Sequence, residues 1–87
     1  MIDPTASEGQ QMKDLIQYVS EALVDRPEEV RVNVLEGENS IILELKVAAD
    51  DVGKVIGKGG QTAKAMRKIL SAAATKLKKK SLLQIVE

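Results

Sequence analysis

Cysteine, histidine, phenylalanine and tryptophan are all absent from the 87 residues, and tyrosine occurs once. Without cysteine there is no disulfide scaffold, and without cysteine or histidine there is no zinc site of the usual kind. The commonest general base and the best neutral-pH nucleophile go with them. A Ser/Lys pair or a carboxylate site is formally open, but no spacing places one, so the chain is expected to be a non-enzyme without metal or cofactor. No apolar run approaches the roughly 18 residues of a membrane span, and Met1 to Gln11 lacks the basic start and apolar stretch of a signal peptide. A cytoplasmic protein with no membrane partner is the expectation. The scarcity of aromatics also removes the stacking platforms on which RRM and OB folds hold bases, and Tyr18 falls near the apolar face of a helix, where core packing is its expected role. What remains is 44% hydrophobic and 30% charged, the composition of one small globular domain held by aliphatic packing alone.

The net charge of zero conceals a division along the chain. Met1 to Val52 carries four bases against twelve acids, a net −8, whereas Gly53 to Glu87 carries nine bases against Glu87, a net +8. Between Gly53 and Val86 every charge is positive. A run of one sign is either a face that meets an anionic partner or a solvated helix surface, and charge alone does not choose between them.

Hydrophobic periodicity places the elements. From Met12, the residues Leu15, Ile16, Val19, Ala22 and Leu23 recur at helical spacing and predict a first helix ending near Val24, before the break at Asp25-Arg26-Pro27-Glu28. Val30, Val32 and Val34 then alternate with Arg31, Asn33 and Leu35, and Ile41, Leu43, Leu45 and Val47 alternate after the turn residues 36–40, which reads as a hairpin with a loop longer than two residues. Asp50 or Asp51 is placed to cap a short helix through Ile56 with its carboxylate. A longer helix follows, with Ala63, Met66, Leu70, Ala73 or Ala74, and Leu77 on its inner face. Leu82 to Val86 is too short for a helix and predicts a closing strand. The order is helix, strand, strand, helix, helix, strand.

Between the last two helices lies Val55-Ile56-Gly57-Lys58-Gly59-Gly60-Gln61-Thr62. A Walker A loop needs four residues between its glycines and Ser or Thr after Lys, whereas Gly53 and Gly57 are separated by three and Lys58 precedes Gly59. A dinucleotide fingerprint fails because Thr62 stands where its third glycine belongs. What fits is a G-x-x-G turn joining two helices, with a base inside it. Glycines let the chain turn and leave no side chain to hold a sugar-phosphate backbone away, while amides at the start of the next helix point at phosphate. A plain helix-turn-helix connection, whose glycines only make the turn, is the competing account.

At these residues the chain resembles the KH domains, whose G-x-x-G loop clamps about four nucleotides of a single strand. The element order is similar to the type II, or prokaryotic, KH topology. Beyond the tetrapeptide, Met12 to Leu15, Ala22 to Val30, Asp51 to Gly60 and Ala65-Met66-Arg67 together resemble the KhpA-type family of small bacterial single-KH proteins. The resemblance implies an α+β fold of order α-β-β-α-α-β, with a three-stranded sheet whose helices pack on one face. It covers Met12 to Glu87 as the KH domain and leaves residues 1–11 as a flexible amino-terminal extension. It implies single-stranded RNA as ligand, clamped by Gly57, Lys58, Gly59 and Gly60, with Lys54, Lys64, Arg67 and Lys68 as a basic rim and Ile56, beside Val55, against the bases. Each rim residue is as readily a solvated charge, Lys78 to Lys80 as readily favour the negative end of the third helix, and Val55 and Ile56 are as readily core. Two positions depart from the family pattern: Gln61 stands where Arg is usual, which puts one phosphate contact in doubt, and Ala63 replaces a larger aliphatic residue. The role implied is an RNA chaperone or post-transcriptional regulator, as a homodimer or beside a second KH-containing RNA-binding protein. The alternative is a protein-interaction subunit whose loop is vestigial, and its sign would be a large exposed apolar patch away from the loop.

Overall fold

The computed structural model describes residues 8–87. Helix α1 spans Glu8–Leu23, strands β1 and β2 span Arg31–Glu36 and Ser40–Lys46, helices α2 and α3 span Val52–Ile56 and Gln61–Lys76, and strand β3 spans Lys80–Val86. Single 3-10 turns at Pro27–Glu29, Ala49–Asp51 and Lys58–Gly60 join them. The order α-β-β-α-α-β is the one expected.

Helix α1 differs from its expected course. It starts by Glu8, four residues before Met12, so the expected extension divides: 8–11 join the helix and 1–7 lie outside the described residues. The buried face runs through Gly9, Met12, Ile16 and Ser20, while Leu23 is exposed and Tyr18, expected in the core, is 62% exposed. Gly9 lies against β1, where a Cβ would touch Val34 and push the tip of the Glu36 side chain aside.

The three strands form one mixed sheet in the order β1-β2-β3, β1 antiparallel and β3 parallel to β2. Period-2 alternation sends Val32, Ile41, Leu43, Leu45 and Leu83 into the core, where Met12, Ile16, Val55, Met66, Leu70 and Ala74 meet them from the helices. Helix α3 buries the expected face, Ala63, Met66, Leu70 and Ala74. The other side of the sheet carries a row in register across all three strands, Leu35, Ile42 and Leu82, followed by Asn33, Glu44 and Gln84. Between α3 and β3, Lys78 adopts a left-handed conformation with φ 58°, while the Lys78 and Lys79 amides donate to the Thr75 and Ala74 carbonyls. This is a Schellman ending with lysine in the position glycine usually takes. Lys79 Nζ reaches Glu36 at 3.0 Å, so one of the three consecutive lysines pins the hairpin to the end of α3.

Candidate nucleic-acid interface

Helix α2 has only five residues, far short of the about 12 to 15 that an isolated helix needs to be stable in water. Its conformation therefore depends on what holds its ends and its inner face. Val55 is fully buried, which settles its role as core, whereas neighbouring Ile56 is 37% exposed beside the loop.

Asp51, at the amino end of α2, is 1% exposed and does not cap its own helix as expected. Its carboxylate instead accepts hydrogen bonds from the backbone amides of Asp25 at 3.2 Å and Arg26 at 3.1 Å, in the connector between α1 and β1. Lys54 Nζ donates to Asp51 at 3.2 Å and to Asp25 at 2.8 Å. The amides of the connector thus find their acceptor 26 and 25 residues along the chain. Burial raises the Asp51 pKa, but the two amides and the Lys54 ammonium outweigh it and hold the carboxyl below its ordinary 3.8. The hydrogen bond to Asp25, then that to Asp51, holds Lys54 above its ordinary 10.5.

A carboxyl whose folded pKa is depressed contributes stability that is present above the unfolded value and fades as the pH falls through the folded one. Asp51→Asn is therefore expected to melt lower than the parent at pH 7, and to lose less of its melting temperature between about pH 5 and pH 2. Circular-dichroism melts across that range check this, and parallel curves for the two proteins would contradict it.

Gly57 ends α2 with its amide on the Gly53 carbonyl at 2.9 Å and leaves at φ 79°, ψ 169°, backbone open essentially to glycine alone. A Cβ there would run into Cβ and Oγ1 of Thr62. Gly59 and Gly60 follow at φ 64° and 77°, and the Gly60 amide closes the turn on the Gly57 carbonyl at 3.0 Å. The turn bonds use the amides of Gly57, Gly60 and Gln61, while those of Lys58 and Gly59 take no part in them. Lys58 and Gly59 are exposed, and a Cβ on Gly59 would meet nothing within 4 Å. The glycines thus divide: Gly57 is required by packing against Thr62, and Gly59 leaves open space over the turn.

The loop leads into the amino end of the 16-residue helix α3, where the first-turn amides have no intrahelical acceptor and the helix dipole favours an anion. Gln61, Lys64 and Lys68 recur at i, i+3 and i+7 and share one exposed face in line with the loop. Lys64 Cε lies 4.0 Å from where a Cβ on Gly60 would sit. Among the described residues, Lys58, Lys64 and Lys68 enter no ion pair.

Two members of the expected basic rim have partners within the fold. Lys54 is committed to two carboxylates. Arg67 turns toward the edge strand, where its guanidinium donates to the Leu83 carbonyl at 3.4 Å. There it lines a groove of about 200 Å³ between α3 and β3 with Leu70, Ser71, Ser81, Leu82 and Leu83. Sequence reasoning missed Thr62 and the tie from Asp51 to the connector. The i, i+3 spacing of Asp51 and Lys54 is visible in the sequence, but nothing local marks the amides of Asp25 and Arg26 as its partners.

Among the described residues no three carboxylates gather into a metal site, and no helix is long and apolar enough to cross a membrane. Residues 13–85 match the family described as KhpA/KhpB, KH domain. A protein of Clostridium perfringens named RNA-binding protein KhpA is 53% identical over 75 residues, 86% of this chain and 100% of the relative. Proteins of the same name from Borreliella burgdorferi and Chlamydia pneumoniae are each 46% identical, over 85% and 87% of this chain and 90% and 97% of their own lengths. No solved structure matches the chain.

Proposed function

This chain belongs to the KhpA/KhpB KH-domain family, a non-enzymatic RNA-binding family, and from that premise we propose that it clamps single-stranded RNA at the Gly57–Gly60 turn. The observation that carries the reading is the turn itself. Three positive-φ glycines surround Lys58, and the space over Gly59 at the start of a long helix is open, so a phosphate can approach the backbone there. Lys58 and Lys64 supply charge beside the turn, Gln61 and Lys68 extend the same face, and exposed Ile56 offers apolar contact to a base. Arg67 meets the strand further along the groove between α3 and β3, and Lys54 acts through the fold.

One turn that holds about four nucleotides binds with roughly micromolar affinity, so tighter binding comes from a linked second site. A homodimer or a second KH-containing protein in the cytoplasm supplies one, and the role is that of an RNA chaperone or post-transcriptional regulator. A second reading, a docking subunit with an idle loop, draws on one observation: Leu35 and Leu82 are 68% and 49% exposed in the aliphatic row on the open side of the sheet.

Fluorescence anisotropy of a labelled single-stranded RNA, titrated with the parent and with Lys58→Asp/Gly59→Asp at several salt concentrations, separates the two. The Gly59→Asp change is mild for the fold, since the space is open and aspartate tolerates left-handed backbone. The parent is expected to bind with a log-log salt slope of about −2 to −3, as three or four phosphate contacts require, and the variant to bind at least about tenfold more weakly. Equal binding by both proteins, or by neither, overturns the clamp and favours the docking subunit.

A further inference from the structure

We infer that Asp51 is a positioning residue for the RNA-binding turn: its carboxylate fastens the amino end of α2 to the connector between α1 and β1 and thereby sets where Gly57–Gly60 stands. The inference rests on the proposed clamp and names a residue for it that touches no RNA. Gly57 lies six positions after Asp51, a path of about 9 Å at helical rise, so whatever tilts the start of α2 moves the turn. The other attachments of α2 do not replace the tie. Val55, with half-buried Val52, fixes the depth of the helix on the core but holds no backbone of the connector, and Thr62 against Gly57 couples the turn to α3 rather than α2 to the connector. Among the described residues of α2 and its amino end, the Asp51 side chain is the one that holds backbone of the α1–β1 connector, with both carboxylate oxygens engaged, Oδ1 on the Asp25 amide and Oδ2 on that of Arg26.

Lys54 completes the device. It stands one turn along the same helix and bridges Asp51 to the Asp25 side chain, so side chain and backbone of the connector are gripped together. Asp25 is 78% exposed on its side chain, and its ion pair alone is worth little in water. The buried half, Asp51 on two amides, carries the constraint. An asparagine there keeps one acceptor oxygen and turns an amino group toward a donor, so it breaks the grip without changing the volume.

The test compares the parent with Asp51→Asn and with Val32→Ala, a core truncation in β1 remote from α2, each held well below its own melting midpoint. Amide hydrogen exchange, measured without RNA, is expected to speed up by about tenfold at Gly57 and Gly60, whose amides make the turn bonds, in Asp51→Asn relative to amides in β2, and not in Val32→Ala. If the binding-competent fraction of the turn falls to about a tenth, RNA affinity falls about tenfold, while the salt slope stays that of the parent because no phosphate contact has been removed. Val32→Ala is expected to keep its affinity within about twofold. Should Asp51→Asn not fold, Lys54→Gln leaves the two amide bonds in place and is expected to give the same pattern more weakly, again with the parent's salt slope. A slope reduced by about 0.7 would instead make Lys54 a phosphate contact and overturn its place in the device. Parental exchange at the turn in Asp51→Asn, or an equal loss of RNA affinity in Val32→Ala, overturns the inference. If the parent itself binds no RNA, the clamp fails, and the exchange ratio still decides whether Asp51 positions the turn.

Discussion

Gly57→Ala is expected to lower the melting temperature by about 10 to 30 °C and to abolish measurable RNA binding, whereas Gly59→Ala two residues away is expected to lower it by about half as much or less and to keep RNA binding. At φ 79°, ψ 169° an L-residue bears a strain of about 1 to 3 kcal/mol, and the added methyl must displace Thr62, an overpacking cost of similar size. For a domain of this length, with total stability on the order of 4 to 13 kcal/mol, the sum is a large fraction of the whole. Gly59 is also left-handed, but a methyl there meets open space, so only the about 1 to 2 kcal/mol of backbone preference is at stake and α3 keeps its place. Thermal melts of both variants, and of Gly57→Ala combined with Thr62→Ala, check this account. The second substitution is expected to restore part of the loss, and equal melting temperatures for the two single variants would refute it.

Leu43→Ala is expected to cost about 2 to 5 kcal/mol, enough to leave a domain of this size marginal or unfolded at 37 °C. Leu43 is fully buried on the central strand, between Val34 and Leu83 in the register, with the helices closing over it. Leu35→Ala, the same chemical change on the neighbouring strand, is expected to stay within about 0.5 kcal/mol of the parent, because Leu35 is 68% exposed on the other side of the sheet. Urea denaturation of the two variants gives the comparison directly. A loss at Leu35 approaching that at Leu43 would mean that the open side of the sheet is covered in solution, as the docking reading requires.

The contrast between those leucines was legible in advance, since period-2 alternation assigns Leu43 inward and Leu35 outward without reference to any partner. The same holds for Ala63, Met66, Leu70 and Ala74, whose spacing leaves one possible inner face. In α1 the pattern was ambiguous. The buried face runs through Gly9, Met12, Ile16 and Ser20 with Val19 half-buried beside it, and Gly9 and Ser20 carry no hydrophobic signal to mark them as part of it. Hydrophobicity ranks a helix face by how apolar it is, whereas packing also asks how near the neighbour can come. Tyr18, two residues from Ile16, lies on the far side of the helix and is exposed.

At the candidate interface the division follows the range of the forces involved. The chain by itself determined the element order, the concentration of positive charge after Gly53 and the G-x-x-G turn with Lys58 inside it, because periodicity, glycine's freedom and charge sign are properties of neighbouring residues. Only the tertiary structure decided which of those charges are engaged by other groups of the fold. Lys54 and Arg67 are as basic as Lys58 and Lys64 in the sequence, yet one lies between two carboxylates and the other on a strand carbonyl. It likewise turned Asp51 from the expected cap of its own helix into the acceptor for amides of a distant connector. A buried carboxylate goes to whichever donors the fold brings within about 3 Å, and that proximity is created by burying the sheet and helices together rather than by any local signal.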